Sequence, residues 1–189
     1  MEFTFVTGRL AKVQWLEKVF GIKVEHSNID LDEVQSLSLQ EVAEKKLAAA
    51  YAILKRPCVI EDVALEYVGL GRLPGTFIRF FQDELGIDGM CRLADGLFTR
   101  RAIVKCVIGY TDGKITKFFD GEVMGEIPRE PRGERGFGFD KFFMPDGHNG
   151  KTRAELPEAE SEANYMELKR YGDLVAWLRG GKKCEKAKG

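Results

Sequence analysis

The sequence has no apolar run near the ~18–20 residues that a bilayer-spanning helix requires. Its N-terminus, with Glu2 ahead of a short strand-like run, lacks the features of a signal peptide. Cysteine is scarce. Cys58, Cys91, Cys106 and Cys184 show no metal-like pairing, and three of them lie in apolar surroundings, as reduced core thiols do. The chain therefore reads as cytoplasmic. A formal net charge of −1 lacks the positive excess of a broad, non-specific nucleic-acid binder, so neither nucleic acid nor membrane is expected as a partner. Internal repeats and a linker dividing two domains are missing too. The expectation is one domain over residues 1–179, followed by a basic, Gly-rich tail over 180–189 that is disordered.

Hydrophobic content of 44% and charged content of 31% are those of a soluble globular protein long enough to bury a proper core. The stretch that organises the rest is Phe3–Lys12. Phe3-Thr4-Phe5-Val6 reads as a short buried strand, Thr7-Gly8 breaks it, and from Leu10 the apolar residues Val13, Leu16, Val19 and Phe20 take helical spacing. Gly21 is placed to end that helix. A strand that turns through Thr-Gly into a helix aims backbone N–H groups and a positive dipole end at one spot, which suits a phosphate. Lys12 adds a point charge there and Thr7 a hydroxyl. Alone, the stretch fits an ordinary strand-to-helix turn better, and the rest of the chain is what favours the phosphate.

Further on, Val24–Leu31 reads as a second strand leading into an acidic loop, and Ser38-x-x-Glu41 as a capping box opening a helix that Pro57 stops. Cys58-Val59-Ile60 is an apolar strand core ending in Glu61-Asp62. A short aromatic helix follows around Phe77, Phe80 and Phe81, and another over Asp88–Leu97. Arg101–Tyr110 and Ile115–Asp120 flank the hairpin signal Thr111-Asp112-Gly113-Lys114, with Gly121–Ile127 extending the sheet. The spacing predicts one helix from Glu158 to Leu178, weakened at Gly172.

Two constellations carry chemistry. Asp62 ends a hydrophobic strand, where a side chain projects into a crevice on rigid support, and Glu33 lies in the acidic loop; Glu61 should point to the opposite face from Asp62. Two carboxylates from separate elements beside a phosphate loop are what Mg²⁺ needs, because the ion completes its octahedron with water and phosphate oxygens. The bland alternative makes Asp62 a turn cap and Glu33 solvated surface. Gly136-Phe137-Gly138-Phe139-Asp140 lets backbone approach a flat ligand, with Phe137 or Phe139 stacking on a base and Asp140 accepting hydrogen bonds from base or backbone. The alternative is a tight turn with buried phenylalanines.

These stretches occur in one order with Gly71-x-x-Pro74-Gly75, Arg101-Ala102…Cys106, Pro131-Arg132-Gly133 and Thr152-x-Ala154-Glu155-Leu156. The ordered set resembles the inosine triphosphate pyrophosphatase family from about Phe3 to Leu178. The resemblance implies an α/β fold: an elongated, two-lobed single domain with a long mixed β-sheet flanked by helices, the active site in the cleft between lobes, and commonly a homodimer. It implies that Thr7, Gly8, Arg9 and Lys12 hold a nucleoside triphosphate, with Lys46 and Arg79 in the same cleft. Glu33 and Asp62 would hold Mg²⁺, Asp62 also acting as base toward water, and Phe137, Gly138, Phe139 and Asp140 would receive the purine. Lys46 and Arg79 rest on the resemblance alone.

The chain departs from the family pattern at several of these positions. Arg9 stands where the family has Asn, and Val63, beside the substrate, where it has Ser or Thr. The family's purine-reading Glu-Lys-Asn-x-x-Ser-His-Arg is replaced: an ungapped alignment puts Ser161, Glu162, Tyr165, Met166 and Glu167 on its Lys, Asn, Ser, His and Arg. A two-residue slip puts Asn164 on the Asn and Lys169 on the Arg. The expected activity is Mg²⁺-dependent release of pyrophosphate from inosine- or xanthosine-type triphosphates. Preference over adenosine triphosphate should be weakened unless Lys169 or Arg170 supplies a donor.

Overall fold

Strand β1 (Thr4–Val6) is buried throughout, Phe5 facing one core and Val6 another. The computed structural model describes residues 3–21 and 23–180; apart from Gly180, the expected tail lies outside the described residues, as does Cys184. β1 runs parallel to β2 (Glu25–Ser27) on one side and to the start of β3 (Cys58–Tyr67) on the other. A parallel strand covered on both faces needs a continuous apolar run, and Phe-Val supplies one. β3 holds the two-residue strand β4 (Pro74–Gly75) near its far end. Over its whole length β3 pairs antiparallel with β5 (Arg101–Thr111). β5 pairs in turn with β6 (Thr116–Glu126), and β6 with β7 (Met144–Pro145). The result is a single α/β domain built on a mixed seven-stranded sheet in the order β2-β1-β3-β5-β6-β7, with β4 on β3.

Period-two alternation along β3 divides the core. Cys58, Ile60 and Ala64 face helix α2 (Leu39–Leu54), which presents Leu39, Ala43, Leu47 and Ala50. Val59, Leu65 and Tyr67 face the larger core, with Phe5, Val104, Leu168, Tyr171 and Leu174. That side is closed by α1 (Leu10–Phe20), α3 (Ile78–Arg92), α4 (Glu158–Leu168) and α5 (Tyr171–Arg179). Among the described residues no helix is long and apolar enough to cross a membrane. Cys58, Cys91 and Cys106 are buried free thiols.

The first strand, its helix and the Gly21 cap, left-handed at φ 59°, stand as expected. Other boundaries moved. The second strand is only Glu25–Ser27, and the two segments after the hairpin form one strand, β6. Ser38 does cap α2 through the Glu41 N–H, but the Glu41 carboxylate takes the Ser36 hydroxyl, so the reciprocal half of the capping box is not made. α2 ends at Leu54 on a left-handed Lys55, before Pro57 acts. The two short helices after β4 are nearly continuous as α3, bent where Gly86 adopts φ 64°.

The largest revision concerns the last helix, which breaks at Lys169 and Arg170 rather than at Gly172. Lys169 takes an extended backbone (φ −99°, ψ 98°), and both it and Tyr171 reach Glu61, at 3.3 Å and 2.7 Å. In an unbroken helix two residues so spaced would point about 200° apart, so one carboxylate could not meet both.

α4 ends against β6. A Cβ on Gly121 would fall 2.1 Å from the Leu168 carbonyl oxygen, which only glycine permits. Gly121→Ala is therefore expected to destabilise the fold by ~1–3 kcal/mol through forced displacement of α4. Urea unfolding checks this: a lowered midpoint at constant m supports it, and an unchanged midpoint would mean that α4 rides loosely on the sheet.

Candidate active site

One cleft of about 880 Å³ gathers residues from nearly every expected stretch. At its floor Thr7 follows the end of β1, its backbone fixed from both directions. Its N–H donates to Ser27 O at 3.1 Å and its carbonyl lies 2.6 Å from His26 Nε2. The Thr7 hydroxyl oxygen accepts the Arg9 N–H at 3.1 Å, turning the chain into α1. Gly8 sits tightly there, since a Cβ would lie 3.2 Å from Asn28 Oδ1. Among the described residues no side chain caps α1, and no acidic residue occupies its first turn, so its opening amides keep their positive field.

Lys12, one turn in, is held by Glu61: its Nζ lies 2.9 Å from Glu61 Oε1 and 3.3 Å from the Glu61 carbonyl. Glu61 is fully buried and also meets Lys169 and the Tyr171 hydroxyl. Burial alone would raise its pKa, but Lys12 and then Lys169 outweigh burial and hold the carboxyl at about 2. As the alternation along β3 requires, Asp62 projects the other way, toward α2.

There Lys46 Nζ bridges Asp62 Oδ1 at 2.7 Å and Glu33 Oε1 at 2.8 Å. Burial opposes the Lys46 ammonium, yet Asp62 and Glu33 keep its pKa above the ordinary lysine value. Burial likewise raises Glu33, and the bonded Lys46 overrides it, leaving the carboxyl below its usual range. Asp62 Oδ2 is buried with no hydrogen-bond partner among the described residues. An orphaned carboxylate oxygen costs roughly 1–3 kcal/mol and needs a reason. Two carboxylates already drawn together across one positive charge, one with a free oxygen, fit a divalent cation. Among the described residues no cluster of three or more metal-ligating side chains exists, so such an ion would draw its remaining oxygens from phosphate and water.

The aromatic stretch lines the other side. Phe137 is 37% exposed and stacks on Tyr165, with ring centroids 6.0 Å apart and planes within 13°. Phe139 and Gly138 also border the cleft. Asp140 lies beneath them, buried. It accepts the Phe137 N–H at 2.8 Å, the Tyr165 hydroxyl at 2.6 Å, and faces Arg153 at 3.4 Å. Of the two options open in sequence, Asp140 takes backbone. Val63 and Arg79 border the cleft as well, Arg79 exposed and 3.7 Å from Asp83.

The replaced purine-reading segment sorts clearly. Ser161 and Glu162 lie in the first half of α4, outside the cleft, with Glu162 paired with Lys18 at 2.8 Å. Glu167 and Arg170 line a separate surface cavity over Gly121, and Arg170 pairs with Asp173. Tyr165 and Lys169 alone of that segment line the cleft. Sequence reading missed three groups: Glu61 as the shared counter-ion, Arg153, and Tyr165 as the stacking partner. Arg153, buried between Asn164 and Asp140 with Phe139, Phe143 and Tyr165 around it, carries no local signal. Thr152-x-x-Glu155 around it is a capping box, made in full, and it would have marked the turn.

A model of the Ham1 family matches residues 3–168. The chain is 39% identical over 160 residues to inosine triphosphate pyrophosphatase 1 of Trypanosoma cruzi, covering 83% of this chain and 82% of that one. It is 35% identical over 170 residues to the dITP/XTP pyrophosphatase of Saccharolobus solfataricus, covering 90% and 88%. Among solved structures it is similar to the Ham1 protein of Staphylococcus aureus, with a TM-score of 0.80 at 27% identity, covering 96% and 100%.

Proposed function

The chain belongs to the Ham1 family, and from that premise we propose that it hydrolyses (deoxy)inosine- or xanthosine-type triphosphates to monophosphate and pyrophosphate. The observation that carries this reading is the pair Glu33 and Asp62, drawn together by Lys46 beside the opening turn of α1. Relatives named as inosine triphosphate or dITP/XTP pyrophosphatases support the substrate class.

In this reading Thr7, Gly8 and the first-turn amides of α1 cradle the phosphate chain, and Arg9, Lys12, Lys46 and Arg79 neutralise it. Asp62 takes the proton from the water that attacks the α-phosphorus. Lys12 offsets the charge that gathers on the departing pyrophosphate. Phe137, Gly138 and Phe139 form the ledge for the base, and Asp140 holds that ledge in shape. A divalent cation on Glu33 and Asp62, Mg²⁺ in this reading, would withdraw phosphate charge and make water easier to deprotonate. The resemblance supports a homodimer, which light scattering tests, and the buried free thiols support a cytoplasmic setting.

The decisive assay separates products of inosine triphosphate by anion exchange. Monophosphate with pyrophosphate is expected; diphosphate with phosphate, or no turnover despite nucleotide binding, would overturn the reading. Lys12→Ala is expected to lower kcat/KM by ~10–150-fold, the worth of a charge-assisted hydrogen bond. Lys114→Ala, in the exposed hairpin turn, should leave it unchanged. Equal losses would reduce Lys12 to bulk charge.

A further inference from the structure

We infer that Lys169 is the residue that selects the base, by offering its ammonium donors to a purine edge that carries a carbonyl oxygen. The inference rests on the nucleotide reading above and concerns the aromatic end of the same cleft.

Lys169 is 3% exposed, an unusual depth for a lysine, and it lines the cleft. Its Nζ lies 5.2, 5.6 and 5.1 Å from the ring centroids of Trp15, Phe137 and Tyr165, so three aromatic faces hold the cation. Glu61 Oε2, at 3.3 Å, is the one carboxylate paired with it among the described residues. That oxygen also accepts the Tyr171 hydroxyl at 2.7 Å. A lysine ammonium has three donors, so Glu61 cannot use them all. The backbone breaks between α4 and α5 at this residue, which is what aims it inward. The remaining donors sit beside Phe137, the partly exposed ring of the ledge.

A cation so placed reads one feature. A 6-oxopurine presents two acceptors on its N7 edge, the ring nitrogen and the carbonyl oxygen. A 6-aminopurine presents one acceptor and one N–H₂ donor, which opposes an ammonium. Met166 and Glu167 cannot substitute, since neither lines the cleft, and Arg170 lies on the cavity over Gly121. Glu61 thereby carries two roles, steadying Lys12 at the phosphate end and Lys169 at the base end. It is a positioning residue for both.

The test compares kcat/KM for inosine and adenosine triphosphates in the parent, Lys169→Met, Lys169→Arg and Arg170→Met proteins. A ratio within one variant does not depend on how much of it folds. Lys169→Met should lower the inosine-to-adenosine ratio by ~10–100-fold, the discrimination of one good base contact. The loss should fall on KM for inosine triphosphate, with adenosine triphosphate little changed. Lys169→Arg should keep most of the preference, and Arg170→Met all of it. An unchanged ratio in Lys169→Met, equal losses on both substrates, or collapse in Arg170→Met would overturn the inference. Should the parent release no pyrophosphate from either triphosphate, the hydrolase reading fails by itself. Calorimetric titration of both triphosphates in chelator then decides Lys169: a preference for inosine triphosphate lost in Lys169→Met supports it, and equal or undetectable binding refutes it.

Discussion

Asp62→Asn is expected to lower kcat by ~10²–10⁴-fold or more while leaving the protein folded. The side chain keeps its size, and its carbonyl oxygen can still accept from Lys46, which lies 2.7 Å from Oδ1. What disappears is the carboxylate charge shared by Oδ1 and Oδ2, the latter buried with no hydrogen-bond partner among the described residues. In the proposed mechanism that charge both draws the proton from water and helps hold the cation, so neutralising it removes two contributions at once. Stability should fall by no more than ~1–3 kcal/mol: Lys46 loses one of its two counter-charges but keeps Glu33 and the new amide's carbonyl oxygen as partners. The measurement is single-turnover hydrolysis of inosine triphosphate at saturating Mg²⁺, with thermal unfolding alongside. A kcat within tenfold of the parent would remove Asp62 from the chemistry. A collapse in thermal stability would instead make it a structural carboxylate.

That Asp62 could be picked out in sequence at all follows from its setting. A carboxylate at the end of an apolar strand core is costly to leave unpaired, so it stands out against Cys58-Val59-Ile60. The Thr7-Gly8 turn stands out similarly, because periodicity switches from strand to helix within a few residues. The Gly-Phe-Gly-Phe-Asp stretch was legible as a turn against a cleft, but not as the place where Asp140 goes inward to Tyr165 and Arg153. Long-range partners carry no local mark. Arg153 and Asp140 are separated by enough chain that nothing in either neighbourhood names the other. The break after α4 was hidden for the same reason. Its cause is Glu61, more than a hundred residues earlier, and local helical spacing continues through the break. Glu61 itself read only as the neighbour of Asp62, since its value comes from Lys12 on α1 and Lys169 in the break after α4.

Glu61→Gln should be the most damaging single change to stability among the cleft residues. The substitution is nearly isosteric, so packing around Tyr171 survives and the effect isolates the charge. Lys12 and Lys169 then lose their common counter-ion, Lys169 at a side-chain exposure of 4% and Lys12 at 14%. Removing one member of a buried pair typically costs ~3–5 kcal/mol, because the remaining charge is left uncompensated. Lys12 can relieve part of this by swinging into the cleft; Lys169, enclosed by three rings, cannot. The pH dependence gives a signature that a packing defect would not. Burial tends to raise the Glu61 pKa, but the two lysines bring it to about 2, below the ordinary 4.5 of a glutamate. A depressed native pKa stabilises the fold above the unfolded value and is lost as pH falls through the native one. The parent's advantage over Glu61→Gln should accordingly be full above about pH 5 and shrink progressively as pH falls from there toward 2. Chemical denaturation across that range measures it. A gap that stays constant with pH would mean that the variant suffers from lost shape or hydrogen bonding, and that the two lysines do not depend on the Glu61 charge.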